Sequence, residues 1–370
     1  ALSLPAPIFA ALAPSSFLLA HLTQPQSSTK KRKRPSVRPN GRLATESRVP
    51  VINTNSLAHA NGSAVVRLGD TAVVAGIKGE LLYAKDIPNP PPSSKRLREV
   101  GGSAPPLDED DEAKSLAELG LLVPNVELST GSHPAHLPGT APTALAQTLA
   151  ERLLETLQET RLVSLDQLEI WGSRSTMARD EEEMDVDASE EQRDDDGDET
   201  GKESIMAYWA IYIDILFISL DGNAFDAAWG AVMAALKNTT LPHAWWDEER
   251  EMILCDADLE RSRSLTLRGL PVSVSFGIFD STAEPRMTNS TAGADAAEAN
   301  LGSGRWLLTD LDDSEETACK ESISAVVDGA SGALQLRKLQ KVGGGVADLA
   351  VMEEVLKLAE QRWKEWKRIL

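Results

Sequence analysis

The histidines and cysteines of this chain are few, and their spacing suits neither a metal site nor a nucleophile–base pair. The five histidines, His21, His59, His133, His136 and His243, are scattered, and only His133 and His136 stand close together. That pair lies in a Pro- and Gly-rich stretch and reads as solvated rather than metal-bound. The two cysteines, Cys255 and Cys319, stand far apart. They make neither a disulfide framework nor a zinc site and read as small core residues in a reducing compartment. No H-E-x-x-H, Walker or dinucleotide-binding fingerprint occurs. Gly343-Gly344-Gly345 can cradle an anion, yet a lone glycine run ahead of a helix reads more simply as a tight turn. These residues assign no catalytic group, no metal site and no cofactor.

Charge is unevenly placed along the chain. The formal net charge is −20 over 370 residues, with a pI near 4.7. Between Asp180 and Glu199 thirteen acids face one base, Arg193, so this stretch supplies −12 and the rest of the chain −8. A remainder of that size is ordinary, and the overall acidity therefore says little against nucleic acid. Opposite in sign is Lys30-Lys31-Arg32-Lys33-Arg34, which reads either as a nuclear localisation signal or as a solvated linker. No apolar run is long enough to span a bilayer; Ile205–Leu220 contains Asp214 and alternates like a strand. Ala1–Leu22 is apolar but carries Pro5, Pro7 and Pro14 and no basic start, so it reads as a packing extension rather than a secretion signal.

The elements that must position any site follow from periodicity. Phe9, Leu12, Phe17 and Leu18 have helical spacing. Ser63–Arg67 and Thr71–Ile77 form a predicted hairpin through Leu68-Gly69-Asp70. Pro88–Asp111 reads as a loop and Val123–Leu128 as a strand. Pro142–Leu157 is a predicted helix with a stripe of Leu145, Leu149 and Leu153. A short strand is expected at Leu168–Trp171. The acidic stretch at about 172–204 is too polar to offset the entropy of ordering and is expected to be disordered. Trp209–Leu220 alternates with apolar residues on both faces, which predicts a central strand covered on both sides. Phe225–Leu236 is a predicted Ala-rich helix. Strands follow at Val272–Ile278 and Arg305–Thr309, then a hairpin of Glu321–Val327 and Leu334–Gln340. A final helix over Val346–Leu370 carries the stripe Met352, Val355, Leu356, Ala359, Trp363, Trp366 and Leu370, which reads mostly as packing on the chain's own sheet, with the two tryptophans near the end still able to reach a neighbour. This pattern predicts α/β (α+β) layers, mixed β-sheets packed with helices, in a single large domain. The expected organisation is an apolar extension and basic linker over 1–40 and one domain over 41–370.

Several ordered segments resemble one family. Arg38-Pro39-Asn40-Gly41-Arg42 is similar to an R-P-D-G-R opening. Asn61-Gly62-Ser63-Ala64, Leu68-Gly69-Asp70-Thr71 and Val73-Val74-Ala75-Gly76 are similar to a G-S-A…G-x-T-x-V hairpin, and Leu241-Pro242 after Ala234-Ala235-Leu236 also matches. Together they resemble the RNase PH family of phosphate-dependent RNA exonucleases. Asp221-Gly222-Asn223-Ala224-Phe225-Asp226-Ala227, Ala234–Asn238, Pro271–Asp280 and Val342–Gly345 resemble the ring-building members found in the eukaryotic exosome. The resemblance implies an RNase PH-like fold and a place in a hetero-hexameric ring of RNase PH-like subunits beneath RNA-binding cap subunits. Single-stranded RNA would pass through the assembled channel, with no membrane partner, in nucleus (including nucleolus) and cytoplasm.

The resemblance also implies where chemistry would sit, and there the pattern breaks. Attack of phosphate on RNA needs cations and free N–H groups around a trianionic transition state. Active members carry a G-T-R-T/S-like segment, matched here by Asn223-Ala224-Phe225-Asp226, with Phe225 at the arginine position. Asp226 would repel phosphate, or simply serve the first helical turn as an acid. An arginine pair expected before the preceding helix is matched by Thr140-Ala141-Pro142-Thr143-Ala144, with no base between Lys114 and Arg152. The late E-D…A-D-M acids are matched by Glu315, Glu316 and Ser322, with Glu321 one residue away, on the opposite side of a strand if that segment is extended. The expectation is a non-catalytic ring subunit. RNA contacts would come from scattered bases, for which Arg67, Lys78, Lys95, Arg96 and Arg98 are the candidates by charge and position. The alternatives are an active phosphate-dependent 3′–5′ exoribonuclease and an RNA-independent adaptor acting through the acidic stretch and terminal helix.

Overall fold

The computed structural model describes residues 5–23, 37–99, 102, 106–138, 143–173, 202–280 and 304–370. The basic run Lys30–Arg34, the Thr140–Pro142 part of the expected arginine site and most of the acidic stretch lie outside them. Two short helices, α1 (Ala6–Leu12) and α2 (Pro14–Leu22), precede β1 (Pro50–Thr54), β2 (Gly62–Leu68), β3 (Thr71–Tyr83) and β4 (Leu97–Glu99). Then come α3 (Glu109–Leu119), β5 (Leu122–Leu128), α4 (Ala144–Thr160), β6 (Glu169–Ser173) and β7 (Lys202–Ser219). The second half contains α5 (Ala224–Lys237), β8 (Thr240–Leu241), β9 (Ala244–Asp247), β10 (Met252–Cys255) and β11 (Arg263–Ser264). It closes with β12 (Val272–Asp280), β13 (Arg305–Thr309), α6 (Asp313–Ala318), β14 (Glu321–Asp328), β15 (Gln335–Val342) and α7 (Leu349–Ile369).

β7 is the axis of a seven-stranded sheet. One flank pairs antiparallel with β3 and then β4; the other pairs parallel with β5 and antiparallel with β6. β2 and β1 extend the sheet beyond β3. A four-stranded sheet of order β13-β12-β14-β15 faces it. Between the sheets runs α5, buried from Phe225 to Leu236. Its alanines at 227, 228, 231, 234 and 235 keep the backbone close to β2, β3 and β12. α7 lies on β12 and β14, and Trp366 fills the space beside Gly230, where an added Cβ would fall 2.2 Å from the ring.

Three expectations change. From Ile211 onward β7 is covered on one face only: Ile211, Ile213, Ile215 and Phe217 are buried, whereas Tyr212, Leu216 and Ile218 are 38%, 37% and 51% exposed; nearer its start Tyr208 and Ala210 are buried on the other face. The apolar outer face suggested a second covering layer, but the helices that cover this strand sit on the inner side. The terminal helix buries Leu358 in place of Leu356, and both tryptophans pack inward, Trp363 donating through Nε1 to the Leu270 carbonyl at 2.9 Å. The stripe packs on the chain's own sheet, as its spacing predicts, and the tryptophans belong to that core. The stretch read as a loop up to Asp111 runs into a helix, α3, started by four acids in its first turn and ended by Gly120 at φ +60°.

The expected segment boundaries shift as well. Arg38, assigned to the linker, is 1% exposed and ion-paired inside the domain. Gly172 and Ser173, assigned to the acidic insertion, are strand residues that pair with Ser204 and Glu203.

Gly222, at φ +68°, sits where a Cβ would meet backbone atoms of Leu311, Asp312 and Asp313 at 2.5–2.7 Å. Replacing Gly222 with Ala should destabilise the chain by roughly 1–3 kcal/mol, because neither the φ nor the neighbouring backbone can relax cheaply. Urea unfolding monitored by circular dichroism checks this, and an unchanged midpoint would contradict it.

Candidate functional site

The corner where α5 starts is built by the Asp221-Gly222-Asn223 turn at the end of β7. Asn223 adopts φ +51° and acts as the N-cap residue. Its backbone N–H donates to Glu316 Oε1 at 2.6 Å, and its side-chain amide donates to Asp226 Oδ2 at 3.0 Å and Asp310 Oδ1 at 2.6 Å. Asp226, in the first turn, spends both carboxylate oxygens on the second sheet. Ser273 Oγ donates to Oδ1 at 2.5 Å, Ser275 Oγ to the same atom at 2.9 Å, and the Ser275 N–H to Oδ2 at 2.8 Å. The donors that flank this helix start are thus met by carboxylates of the chain itself, which the helix dipole favours at that end.

Phe225 is 5% exposed, and the guanidinium of Arg152 lies 4.1 Å from its ring centroid. Arg152 reaches the corner from α4, donates to Ser324 Oγ at 3.1 Å, and is pulled below the usual arginine range by burial, against the opposing field of Asp226. Sequence reasoning misses this residue because it lies well inside α4 rather than in front of it. Its one sequence signal is being the first base after Lys114.

Behind the corner stands a dense ion cluster. Asp310, at φ +51° after β13, accepts from the Arg48 N–H at 2.6 Å, Nε at 3.0 Å and Nη2 at 2.7 Å. Arg42 donates to the Asp310 carbonyl at 2.9 Å, and Arg38 donates to Glu315 Oε2 at 2.9 Å. Glu315 also completes a capping box with Asp312 at the start of α6. The acids at 315 and 316 therefore hold the R-P-N-G-R segment and the cap of α5. Glu315 and Glu316 lie on α6, which ends at Ala318, whereas Glu321 and Ser322 open β14, so these two neighbours point to opposite sides of a strand as expected. Beside Glu315, burial pushes the Cys319 thiol up to about 12, which removes it as a nucleophile.

The proposed RNA-contact bases are not brought together. Arg67 is exposed at the β2–β3 turn and pairs with Asp70 at 3.4 Å; Lys78 is exposed mid-strand beside Glu80 at 2.8 Å. Lys95 is exposed in the turn before β4. Arg96 is 8% exposed and ion-paired to buried Glu169, and Arg98 pairs with Glu203 at 2.7 Å while stacking 4.6 Å from the Trp171 ring centroid. Arg96 and Arg98 are committed to holding β4 and β6 at the end of β7. Among the described residues no group of His, Cys, Asp and Glu is arranged to hold a metal ion. No described helix is long and apolar enough to cross a membrane. Gly343 bends at φ +113° against Glu321, and α7 starts only at Leu349.

Two sheets sandwiching a buried alanine-rich helix, with a turn-capped corner facing the second sheet, form one α/β domain. The chain belongs to the RNase PH family: residues 46–242, more than half of its length, match the 3′ exoribonuclease family, domain 1. It is similar to "Exosome complex component rrp43" of Schizosaccharomyces pombe, 27% identical over 327 residues and 88% of each chain. It is also similar to "Exosome complex component Rrp42" of Thermococcus gammatolerans, 26% identical over 81% of each. Its fold matches a chain of the Archaeoglobus fulgidus exosome solved with RNA bound to the active site, with a TM-score of 0.60, 22% identity and 98% of both chains covered.

The Asp310 cluster gives the corner a pH dependence. Burial alone would raise the Asp310 carboxyl, but hydrogen bonds and the charge of Arg48, with Asn223, hold it at about 2 against an ordinary 3.8. A carboxyl depressed in the folded state stabilises the fold above its unfolded value and loses that contribution as pH falls toward the folded one. Stability should therefore decline between about pH 4 and pH 2, by about 2 kcal/mol from this group. Asp310→Asn should flatten that acid limb in urea titrations run across pH. It should also cost roughly 3 kcal/mol at neutral pH, because Arg48 is left buried with only the more distant Asp221, at 3.6 Å, as counter-charge. An acid limb unchanged by Asp310→Asn would contradict the assignment.

Proposed function

We propose that this chain is a non-phosphorolytic, architectural subunit of an RNA exosome ring. The observation that carries the reading is the α5 corner. The position that faces incoming phosphate in active relatives holds Phe225, and the adjacent carboxylate of Asp226 is locked into the second sheet by Ser273 and Ser275. Asp310 and Glu316 add negative charge at the same helix start, while Arg48 is bound to Asp310 and Arg152 lies on the Phe225 ring. A phosphate entering there would meet fixed carboxylates and no uncommitted cation among the described residues.

Relatives named as exosome components along most of this chain support membership of such a ring. The open outer face of the large sheet, with Tyr212, Leu216, Ile218 and Val51 exposed, supports contact with a neighbouring RNase PH-like subunit. In this reading the subunit closes a channel beneath RNA-binding cap subunits, and single-stranded RNA is guided through it to a nuclease elsewhere. Contacts with RNA come from exposed bases such as Arg67, Lys78 and Lys95, so they are salt-sensitive and blind to sequence. The basic run Lys30–Arg34 carries the protein into the nucleus and nucleolus, with a cytoplasmic pool as well.

The test combines chemistry with assembly. Purified chain, alone and mixed with RNase PH-like ring subunits, is incubated with labelled single-stranded RNA, phosphate and magnesium while complex mass is recorded. No nucleoside diphosphate from the chain alone, together with a mass gain on mixing, is the expected result. Diphosphate release by the chain alone would overturn the non-catalytic reading, and absence of any complex would overturn the ring reading.

A further inference from the structure

A short strap, the turn Pro92–Lys95 with β4, flanks the start of β7 and is fastened there by a buried carboxylate. β4 pairs with Lys202–Ser204 of β7, and β6 pairs with Glu203–Tyr208 along the opposite edge. Arg96 joins the two flanks. Its side chain is 8% exposed and ion-paired to Glu169, which opens β6 in register with Tyr208. The Glu169 side chain has no exposed surface. Its Oε1 accepts from Arg96 Nη2, whereas Oε2 is buried and accepts no hydrogen bond among the described residues. Arg96 is moreover shared: Nη1 and Nη2 lie 3.4 and 3.5 Å from Oδ1 of Asp166, which is 61% exposed. Two neutral bonds hold the rest of the strap. The Tyr208 hydroxyl donates to Ser94 Oγ at 2.8 Å, and Ser93 Oγ donates to Ser115 Oγ of α3 at 2.9 Å.

A carboxylate buried with one oxygen unbonded is a poor place for a full charge, and a proton removes that cost. Arg96 keeps Asp166 as counter-charge when Glu169 is neutral, so neither state strands a buried cation. We propose that Glu169 is a proton-operated latch on the strap: protonated, it lies closed against Arg96; ionised, it admits water and releases the strap from the start of β7. Burial pushes the Glu169 carboxyl up to about 7 from an ordinary 4.5, against the pull of Arg96 and with a further push from Asp166. Burial also pushes the Tyr208 hydroxyl up to about 12, so it keeps its proton throughout. Arg98 is engaged by Glu203 and the Trp171 ring, and β9, also packed on β6, meets it through Trp246 at Gly172. With the strap open, a solvated Glu169 titrates near the ordinary 4.5, so proton binding favours closure. Closure is fully favoured below that value and weakens as pH rises through about 7. Opening should grow roughly 25-fold between about pH 5.5 and pH 8.

Hydrogen–deuterium exchange of the full chain tests this, read by mass spectrometry on peptides spanning Pro92–Glu99. Rates are taken across that pH range and corrected for the intrinsic pH dependence of amide exchange. Protection of the strap should fall roughly 25-fold toward pH 8, while protection of α5 stays level. Glu169→Gln keeps the shape and removes the charge, so its strap should hold the acid level of protection at both ends of the range. Asp166→Asn, at an exposed position, removes a charge that opposes ionisation of Glu169 and should move the midpoint of the loss to lower pH. An ordinary ion pair behaves the other way: protection would be equal or greater at pH 8, and Glu169→Gln would lower it. Either result would overturn the latch, as would a midpoint that Asp166→Asn leaves in place. If Glu169→Gln fails to fold, the profile of the unaltered chain and the Asp166→Asn midpoint decide the matter.

Discussion

The bond between Asp310 and Arg48 holds the working corner of this molecule together. One carboxylate takes three donors from Arg48 and one from Asn223, and its own residue bends into the left-handed region to do so. Through it the segment before the first strand, the cap of the central helix and the end of the second sheet become one rigid unit. The Asp310 N–H donates to the Ser275 carbonyl at 3.0 Å, on the residue whose N–H and hydroxyl hold Asp226. Loss of the Asp310 charge would release strands and helix cap together, because every partner is buried or nearly so.

The same arrangement accounts for the functional reading. A helix start flanked by oriented donors attracts an anion. Here the anions are built into the chain, at Asp226, Glu316 and Asp310, so the dipole stabilises the fold instead of a ligand. Arg152, the cation that does reach the corner, is spread over the Phe225 face and bonded to Ser324. On the proposed reading, chemistry and architecture draw on the same few donors, and in this chain architecture holds them.

Much of the fold is legible in local pattern. Gly69-Asp70 marks the β2–β3 turn, alternation marks β7, and the alanine-rich stretch after Asp221-Gly222-Asn223 marks α5. Alternation also misleads, since apolar residues at 212, 216 and 218 report a face suited to burial without saying whether this chain buries it. α3 is hidden because its first turn is acidic and reads like solvent-exposed loop. Yet its acids match the helix dipole, and Leu119-Gly120 is a stop signal. The ion cluster is illegible for a different reason. Arg48 and Asp310 are 262 residues apart, and nothing in the periodicity of either segment announces the other. Phe225 and Asp226 are visible as departures from a pattern, but Ser273 and Ser275 emerge as anchors only when the second sheet is in place.

The central claim is that the α5 corner has exchanged phosphate for the protein's own carboxylates, and equilibrium dialysis of the purified chain against labelled inorganic phosphate tests it most directly. The account predicts no saturable binding up to millimolar phosphate, because the carboxylates of Asp226, Asp310 and Glu316 repel it and already take the donors of Asn223, Ser273 and Ser275. One phosphate bound per chain, and lost on Arg152→Met, would contradict it and return this corner to the chemistry of the active family.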